Sequence, residues 1–444
     1  MYHVILLLFT VNNQRGATMK LESIALHHGY ESKKNDQKAA TVPIYQTSGF
    51  TIDDTQHGAD LFDLKVEGNI YTRIGNPTND VLEKRVAEME GGIAGLSLAS
   101  GMAAITYAIQ TITRSGDNII STNQLYGGTY NCFTHSFPKQ GITVKMVDGA
   151  DYDGIEAAID EKTKALYCES IGNPLGNIID LKKFADIAHK HGIPLIVDNT
   201  VATPYLCRPI DFGADIVVHS LTKYIDGHGA TIGGIIVDSG KFDWTKDAKK
   251  FPMLNEPDPS YHGVIYTETF GAAAFIGCCR VVPLRETGAC LAPNNAYIIM
   301  LGLESLGVRM ERHCENALAL AKYLESHERV EWVNYAALPK DKYNDVCKKI
   351  TNGQASGIVS FGLKGGIDAG AKFIDALQMI LRVLSMGDAK SLACHPASTL
   401  HRQLTPEQKV LAGVSEDLVR ISVGIEHIDD IIQDVEQAIE ASKK

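Results

Sequence analysis

Several things are missing from this sequence, and each absence excludes a class of protein. There is no Cys-x-x-Cys pair. The nine cysteines are scattered, and Cys278 and Cys279 stand side by side, a spacing that suits neither a zinc knuckle nor a redox loop. They read as reduced thiols of a cytoplasmic protein. No apolar stretch is long enough to span a bilayer. The best candidate, residues 3–11, covers nine residues, where a spanning helix needs about 20. It has no basic start and no small-residue cleavage site, so it does not read as a secretory signal. Met19 precedes an ordinary stretch, and residues 1–18 read as an extension without a role in the fold. Positive charge is not in surplus: 42 Lys and Arg against 53 Asp and Glu leave a net charge of -11. That opposes non-specific binding to nucleic acid or anionic lipid, because phosphate contacts need clustered cations. There is no internal repeat and no low-complexity segment. No Gly-x-Gly-x-x-Gly follows the first strand, which argues against a dinucleotide-dependent dehydrogenase; binding of NAD would revive that reading.

What is present is globular. The 444 residues are 45% hydrophobic and 21% charged, enough for a large core and for more than one structural unit. From about residue 95, short apolar runs alternate with helical patterns. Strands are expected at 95–99, 118–121, 144–147, 165–168, 193–197, 216–219 and 232–237, with helices at 102–113 and 180–191 among them. That alternation predicts βαβ units and a mostly parallel sheet. Its strands are apolar on consecutive positions, as burial on both faces requires. Leu303, Leu306, Met310, Cys314, Ala317, Ala321 and Leu324 recur at three- and four-residue steps, which predicts one long helix over 294–327. Further strands are expected at 358–361 and 418–423. Residues 1–75 read as an extension and an arm that packs on something other than itself, 76–275 as the large domain, and 276–444 as a smaller α/β domain that includes the long helix.

Candidate chemistry collects after strands, where ligands bind in open parallel sheets. Ser100-Gly101-Met102 follows the first strand and opens a helix; this is either a phosphate cradle of free N–H groups or an ordinary cap. Tyr126-Gly127-Gly128-Thr129 offers an aromatic face to a flat ligand, or a flexible turn. Asp198-Asn199-Thr200 ends an apolar strand. A buried Asp there needs a partner, and a protonated ring nitrogen, a metal or a helix cap would each serve. In the segment Asp215-Ile216-Val217-Val218-His219-Ser220-Leu221-Thr222-Lys223-Tyr224, a lysine follows a buried strand. Burial disfavours its charge and makes it a competent amine nucleophile, while Ser220 and Thr222 offer hydroxyls to a phosphate. Ser220-Leu221-Thr222-Lys223 also matches the Ser-x-x-Lys of β-lactamases, but their Ser-Asp-Asn and Lys-Thr-Gly partners are absent. Tyr71-Thr72-Arg73 in the arm holds a donor fork for phosphate or carboxylate, or a solvated Arg. Arg420, inside the apolar run Leu418 to Val423, wants an anion: a structural Glu or a substrate carboxylate.

Together these segments resemble the transsulfuration, or Cys/Met metabolism, family of pyridoxal-phosphate (PLP) enzymes from about residue 24 to 440. The Asp-apolar-x-x-His-Ser-x-Thr-Lys-Tyr order around Lys223 is the most specific piece. The resemblance implies the aspartate-aminotransferase-like fold (PLP-dependent transferase fold type I), with residues 76–275 as the cofactor domain. It also implies a homotetramer of two tight dimers with active sites shared between subunits. It implies pyridoxal 5'-phosphate anchored on Lys223, with Lys223 and Tyr126 as catalytic residues. Ser100, Gly101, Met102, Ser220, Thr222 and Thr200 would bind the cofactor from within the chain, and Tyr71 and Arg73 from the neighbouring one. Tyr126 would stack on the ring, Asp198 would keep its nitrogen protonated, and Asn173 would meet its hydroxyl. Arg420, with Ser385, Asn173 and Tyr71, would bind the amino-acid substrate. No metal is implied.

Within the family, the O-acetylhomoserine sulfhydrylase subgroup is the most similar. Tyr126-Gly127-Gly128-Thr129 has Gly where methionine γ-lyases carry Cys, extra residues lie between about 238 and 270, and His395-Pro396-Ala397-Ser398-Thr399 is followed by His401. Leu400 departs from the Thr expected there. The implied reaction replaces the acetyl group of O-acetylhomoserine with sulfide or a small thiol, in methionine biosynthesis. The alternatives on the same scaffold are cystathionine γ-synthase or γ-lyase and methionine γ-lyase; a silent binding protein is the alternative of another class.

Overall fold

The computed structural model describes residues 19–443 except 64, 400, 401, 403–408 and 410–412. The expectations on residues 1–18, Leu400 and His401 lie outside the described residues. A seven-stranded sheet carries the fold. Its strands are β1 (Ala94–Leu98), β2 (Asn118–Thr122), β3 (Thr143–Val147), β4 (Thr163–Glu169), β5 (Leu195–Asp198), β6 (Ile216–Ser220) and β7 (Gly234–Asp238). They lie in the order β1-β7-β6-β5-β4-β2-β3. All neighbours pair in parallel except around β7, which is antiparallel to both β1 and β6. β1, β2, β4, β5 and β7 are buried along their whole length and β6 up to His219, which explains their largely apolar character.

Local chemistry sets the helix ends around this sheet. Helix Pro77–Glu90 starts with Asn76, whose side chain accepts from the Thr78 N–H, and Pro77 supplies the preset first turn. It ends at Gly91, whose φ of 80° is cheap only for glycine. Helix Gly101–Gln110 is capped by Ser100, which accepts from the Ala103 N–H at 3.1 Å. Helix Leu181–Lys190 buries Leu181, Phe184, Ala185 and Ala188, a stripe of helical spacing laid on the sheet.

The helix expected over 294–327 is two helices, Pro293–Glu304 and Leu306–Glu325, divided at Ser305. The cause is a crowded carbonyl. The Gly302 oxygen accepts from the Ser305 N–H, the Ser305 hydroxyl and the Arg309 guanidinium. Gly302 also sits so close to another segment that a Cβ there would lie 2.0 Å from the Asp226 oxygen. The apolar periodicity runs through the break unchanged, so the pattern alone did not show it.

A second sheet of five strands follows: β8 (Val330–Asn334), β9 (Ile358–Leu363), β10 (Leu381–Arg382), β11 (Leu392–Cys394) and β12 (Leu418–Ser422). Its order is β10-β11-β12-β9-β8, antiparallel except for β10 with β11. The fold is therefore α/β, a mostly parallel sheet with a smaller sheet domain. Packing continues across residue 276. Phe275, Ile276, Cys279 and Leu284 share a core with Trp244 and Phe251 on one face of the large sheet. The opposite face joins Leu303, Met310 and Leu320 of the linking helices to Val359 and Ile421 of the second sheet. All nine cysteines are free. Among the described residues no helix is long and apolar enough to cross a membrane.

Candidate active site

β4, β5 and β6 run parallel and end together, at Glu169, Asp198 and Ser220. The turns beyond these ends, the amino end of helix Gly101–Gln110, β12 of the second sheet and the turn after β10 enclose a cavity of about 220 Å³. Twelve of the residues singled out from the sequence line it: Ser100, Gly101, Met102, Tyr126, Asn173, Asp198, Thr200, Ser220, Thr222, Lys223, Ser385 and Arg420. They come from segments up to 320 positions apart, and only the fold brings them together.

Lys223 enters from the turn after β6. Its Nζ donates to the Ser385 hydroxyl at 2.8 Å. Burial, and secondly the positive charge of Arg420, bring its pKa down from 10.5 to about 8. Arg420 lies in the middle of β12 and is 1% exposed. Its Nη1 donates to Asn173 Oδ1 at 2.9 Å and its Nη2 to the Ser385 carbonyl at 2.6 Å, while its Nε has no partner. No carboxylate neutralises it through these contacts. A buried guanidinium with a spare donor is poised for an anion.

Asp198 is buried at the end of β5. Its Oδ1 accepts from the Thr200 N–H at 2.9 Å, and Oδ2 meets only the Tyr167 hydroxyl, at 3.5 Å. Burial pushes its carboxyl up, against the pull of Thr200. A cationic ring nitrogen at Oδ2 would relieve that cost. Behind it, His219 and Glu90 pair at 2.6 Å with both side chains fully buried, and the His219 charge favours the ionised Asp198.

Another part of the cavity wall is built from backbone. Gly101 is so close to β6 that a Cβ would lie 2.6 Å from Ser220 Cβ and 2.9 Å from its Cα. Only glycine lets the free N–H groups of that helix turn reach the Ser220 edge. Ser100 spends its hydroxyl on the cap, and Thr200 accepts the Ser220 N–H at 2.8 Å, so both shape the cradle. Thr222 exchanges hydrogen bonds with the Gly233 backbone at 3.1 and 3.2 Å. Tyr126 is 42% exposed, and its ring folds over Gly128, where a Cβ would lie 2.5 Å from it. An anion cradle, a cation-seeking acid, a flat aromatic wall and a buried amine fit pyridoxal phosphate.

Tyr71 and Arg73 are not in this cavity. Tyr71 lines a second one, of about 450 Å³, between the arm and the 261–281 region. Arg73 Nη1 donates to the Arg285 carbonyl, and its guanidinium lies 5.6 Å from the Tyr71 ring centre. Sequence reasoning passed over Glu169 and Ile232, Leu384 and Met386, which also line the site. A Glu ending an apolar strand is the same signal that singled out Asp198.

The family described as Cys/Met metabolism PLP-dependent enzyme matches residues 22–440. A homocysteine synthase of Schizosaccharomyces pombe is 50% identical over 422 residues, covering 95% of this chain and 98% of that protein. An O-acetyl-L-homoserine sulfhydrylase of Leptospira meyeri is 48% identical over 429 residues, covering 95% and 96%. A crystal structure from Campylobacter jejuni, described as an O-acetylhomoserine (thiol)-lyase with a pyridoxyl-lysine phosphate adduct, superposes with a TM-score of 0.92. It is 41% identical, with 95% of this chain and 100% of that chain covered. With this fold, this pocket and a match over nearly its whole length, the chain belongs to the pyridoxal-phosphate-dependent enzymes of Cys/Met metabolism.

Proposed function

We propose that this enzyme catalyses γ-replacement on O-acetyl-L-homoserine, exchanging acetate for sulfide or a small thiol to give L-homocysteine or methionine. The observation that carries this is the pairing, in one cavity, of an amine lowered to about pKa 8 with a buried guanidinium that keeps a spare donor. One group moves protons and the other fixes an amino-acid carboxylate. The names of the relatives supply the acyl donor and the sulfur acceptor.

Gly101 and Met102, with Ser220 and Thr222, hold the cofactor phosphate; Ser100 and Thr200 support that turn; Asp198 holds the ring nitrogen; Tyr126 covers the ring; Asn173 meets its hydroxyl. Bound there, pyridoxal phosphate acts as an electron sink for charge developing at the substrate's Cα. Arg420, with Ser385 and Asn173 and with Tyr71 of a second copy of the chain, anchors the substrate carboxylate, which sets the Cα–H bond against the ring face. Lys223 would remove the Cα proton, pass it to the bound cofactor and, a neutral amine again, take one from Cβ, so that the Cγ–O bond breaks with acetate taking its electron pair. Sulfur loses a proton and bonds to Cγ, and Lys223 returns protons to Cβ and Cα.

Tyr71 and Arg73 serve the site of a second copy of the chain in a cytoplasmic homotetramer of methionine biosynthesis. Their absence from this chain's own cavity supports that, as does the exposure of Ile44, Tyr45, Ile52, Phe62 and Tyr71, between 41% and 56%. The test is a panel of O-acetyl- and O-succinylhomoserine against sulfide, methanethiol and cysteine, read by product mass. Homocysteine from the acetyl ester and sulfide is the expected main product. Cystathionine as the main product, or ammonia and an oxo acid without any acceptor, would replace this reading with a synthase or lyase.

A further inference from the structure

Glu169 closes β4 and sits directly across from Asp198 on β5. It is 5% exposed. Its Oε1 accepts the Tyr126 N–H at 2.6 Å, and its Oε2 accepts the Asn173 N–H at 3.3 Å. Those two N–H groups belong to different turns, one after β2 and one after β4. Tyr126 begins helix Gly127–Asn131 without a side-chain cap of its own. Asn173 in turn accepts from Arg420 at 2.9 Å. A continuous line of contacts thus runs Tyr126–Glu169–Asn173–Arg420, from the aromatic wall of the cavity to its guanidinium.

We infer that Glu169 is a positioning residue, whose one carboxylate holds the ring-covering Tyr126 and the Asn173–Arg420 pair in register. Two converging N–H donors require an acceptor at both ends. A glutamine turns its NH₂ toward one of them, and an apolar residue leaves both buried and unpaired. The location is otherwise unfavourable. Burial, then the neighbouring Asp198, push the Glu169 carboxyl up, and the two backbone N–H groups pull it back. A carboxyl that only filled space would gain nothing from standing beside a second buried acid.

This inference rests on the cofactor reading of the cavity, and not on the acyl group or the thiol. The test uses the loaded full-length enzyme, wild type, Glu169→Gln and Glu169→Asp. Two constants are measured: dissociation of pyridoxal phosphate, and binding of a non-reacting amino acid, glycine or L-alanine, read from the cofactor's absorbance. In Glu169→Gln both weaken on the order of tenfold. In an Arg420→Ala background the Glu169→Gln change has less than half its logarithmic effect on amino-acid binding, because the link it acts through is gone. Unchanged constants with a lowered melting temperature would overturn the inference, as would full additivity with Arg420→Ala. If Glu169→Gln does not fold, Glu169→Asp, which keeps the charge but is too short for both N–H groups, is judged on the same two constants. Failure of wild type to release acetate would instead sink the γ-replacement reading and leave this one standing.

Discussion

Replacing Arg420 with alanine removes the buried guanidinium whose charge acts on Lys223 in the cavity, and two consequences follow from the geometry. The first is on binding. Arg420 is 1% exposed and its Nε is unpartnered, so a substrate carboxylate there gains a charge-assisted bond in a dry setting. Bonds to charged groups contribute about 1.5–3 kcal/mol, which predicts a rise in KM of roughly ten- to a hundredfold. The second is on the amine. Arg420 is the second cause, after burial, of the lowered Lys223 pKa, so its loss moves Lys223 back up from about 8. The assay is steady-state acetate release from O-acetylhomoserine across pH, with Arg420→Lys beside Arg420→Ala. Lysine restores the charge near Lys223 but not the two-pronged contact with Asn173 and Ser385, so it recovers the pH profile better than KM. A fall in kcat with KM unchanged would refute the anchoring role.

Other outcomes follow from the same cavity. Lys223→Ala abolishes turnover and the visible absorbance of the cofactor-loaded protein, with no borohydride-trapped adduct at that position; retained absorbance counts against Lys223 as the anchor. Uptake of pyridoxal phosphate by the cofactor-free enzyme needs the neutral amine. Its rate therefore rises with pH and levels off above about 8 instead of near the ordinary lysine value of 10.5; stopped-flow absorbance checks this. Gly101→Ala forces a Cβ to within 2.9 Å of the Ser220 backbone and pushes the helix end off the phosphate cradle. Cofactor dissociation then rises on the order of tenfold, measured by equilibrium dialysis; an unchanged constant removes that turn from the phosphate site.

Much of the architecture was legible because its causes are local. Consecutive buried apolar residues marked most strands of the large sheet to within a residue or two. Lys223, Asp198 and Arg420 stood out as polar groups at or inside apolar strands, where burial is costly without a purpose. Glu169 carried the same signal and was missed because its partners are backbone N–H groups, which no side-chain pattern reveals. The break at Ser305 was missed for a related reason: it depends on Arg309 and Asp226, which converge on Gly302 from elsewhere.

By itself the sequence determined which chemistry is available: an amine nucleophile, a buried acid, an anion-seeking guanidinium and glycines that let backbone approach a phosphate. These are properties of residue type and of neighbours a few positions away. The tertiary structure decided that they face one another. Only the parallel ends of β4, β5 and β6, met by β12 from the second sheet, bring Arg420 close enough to lower the Lys223 pKa. Hydrogen bonds need contact distance and screened Coulomb interactions fade over about 10 Å, so a function that depends on them exists only once distant segments have packed together.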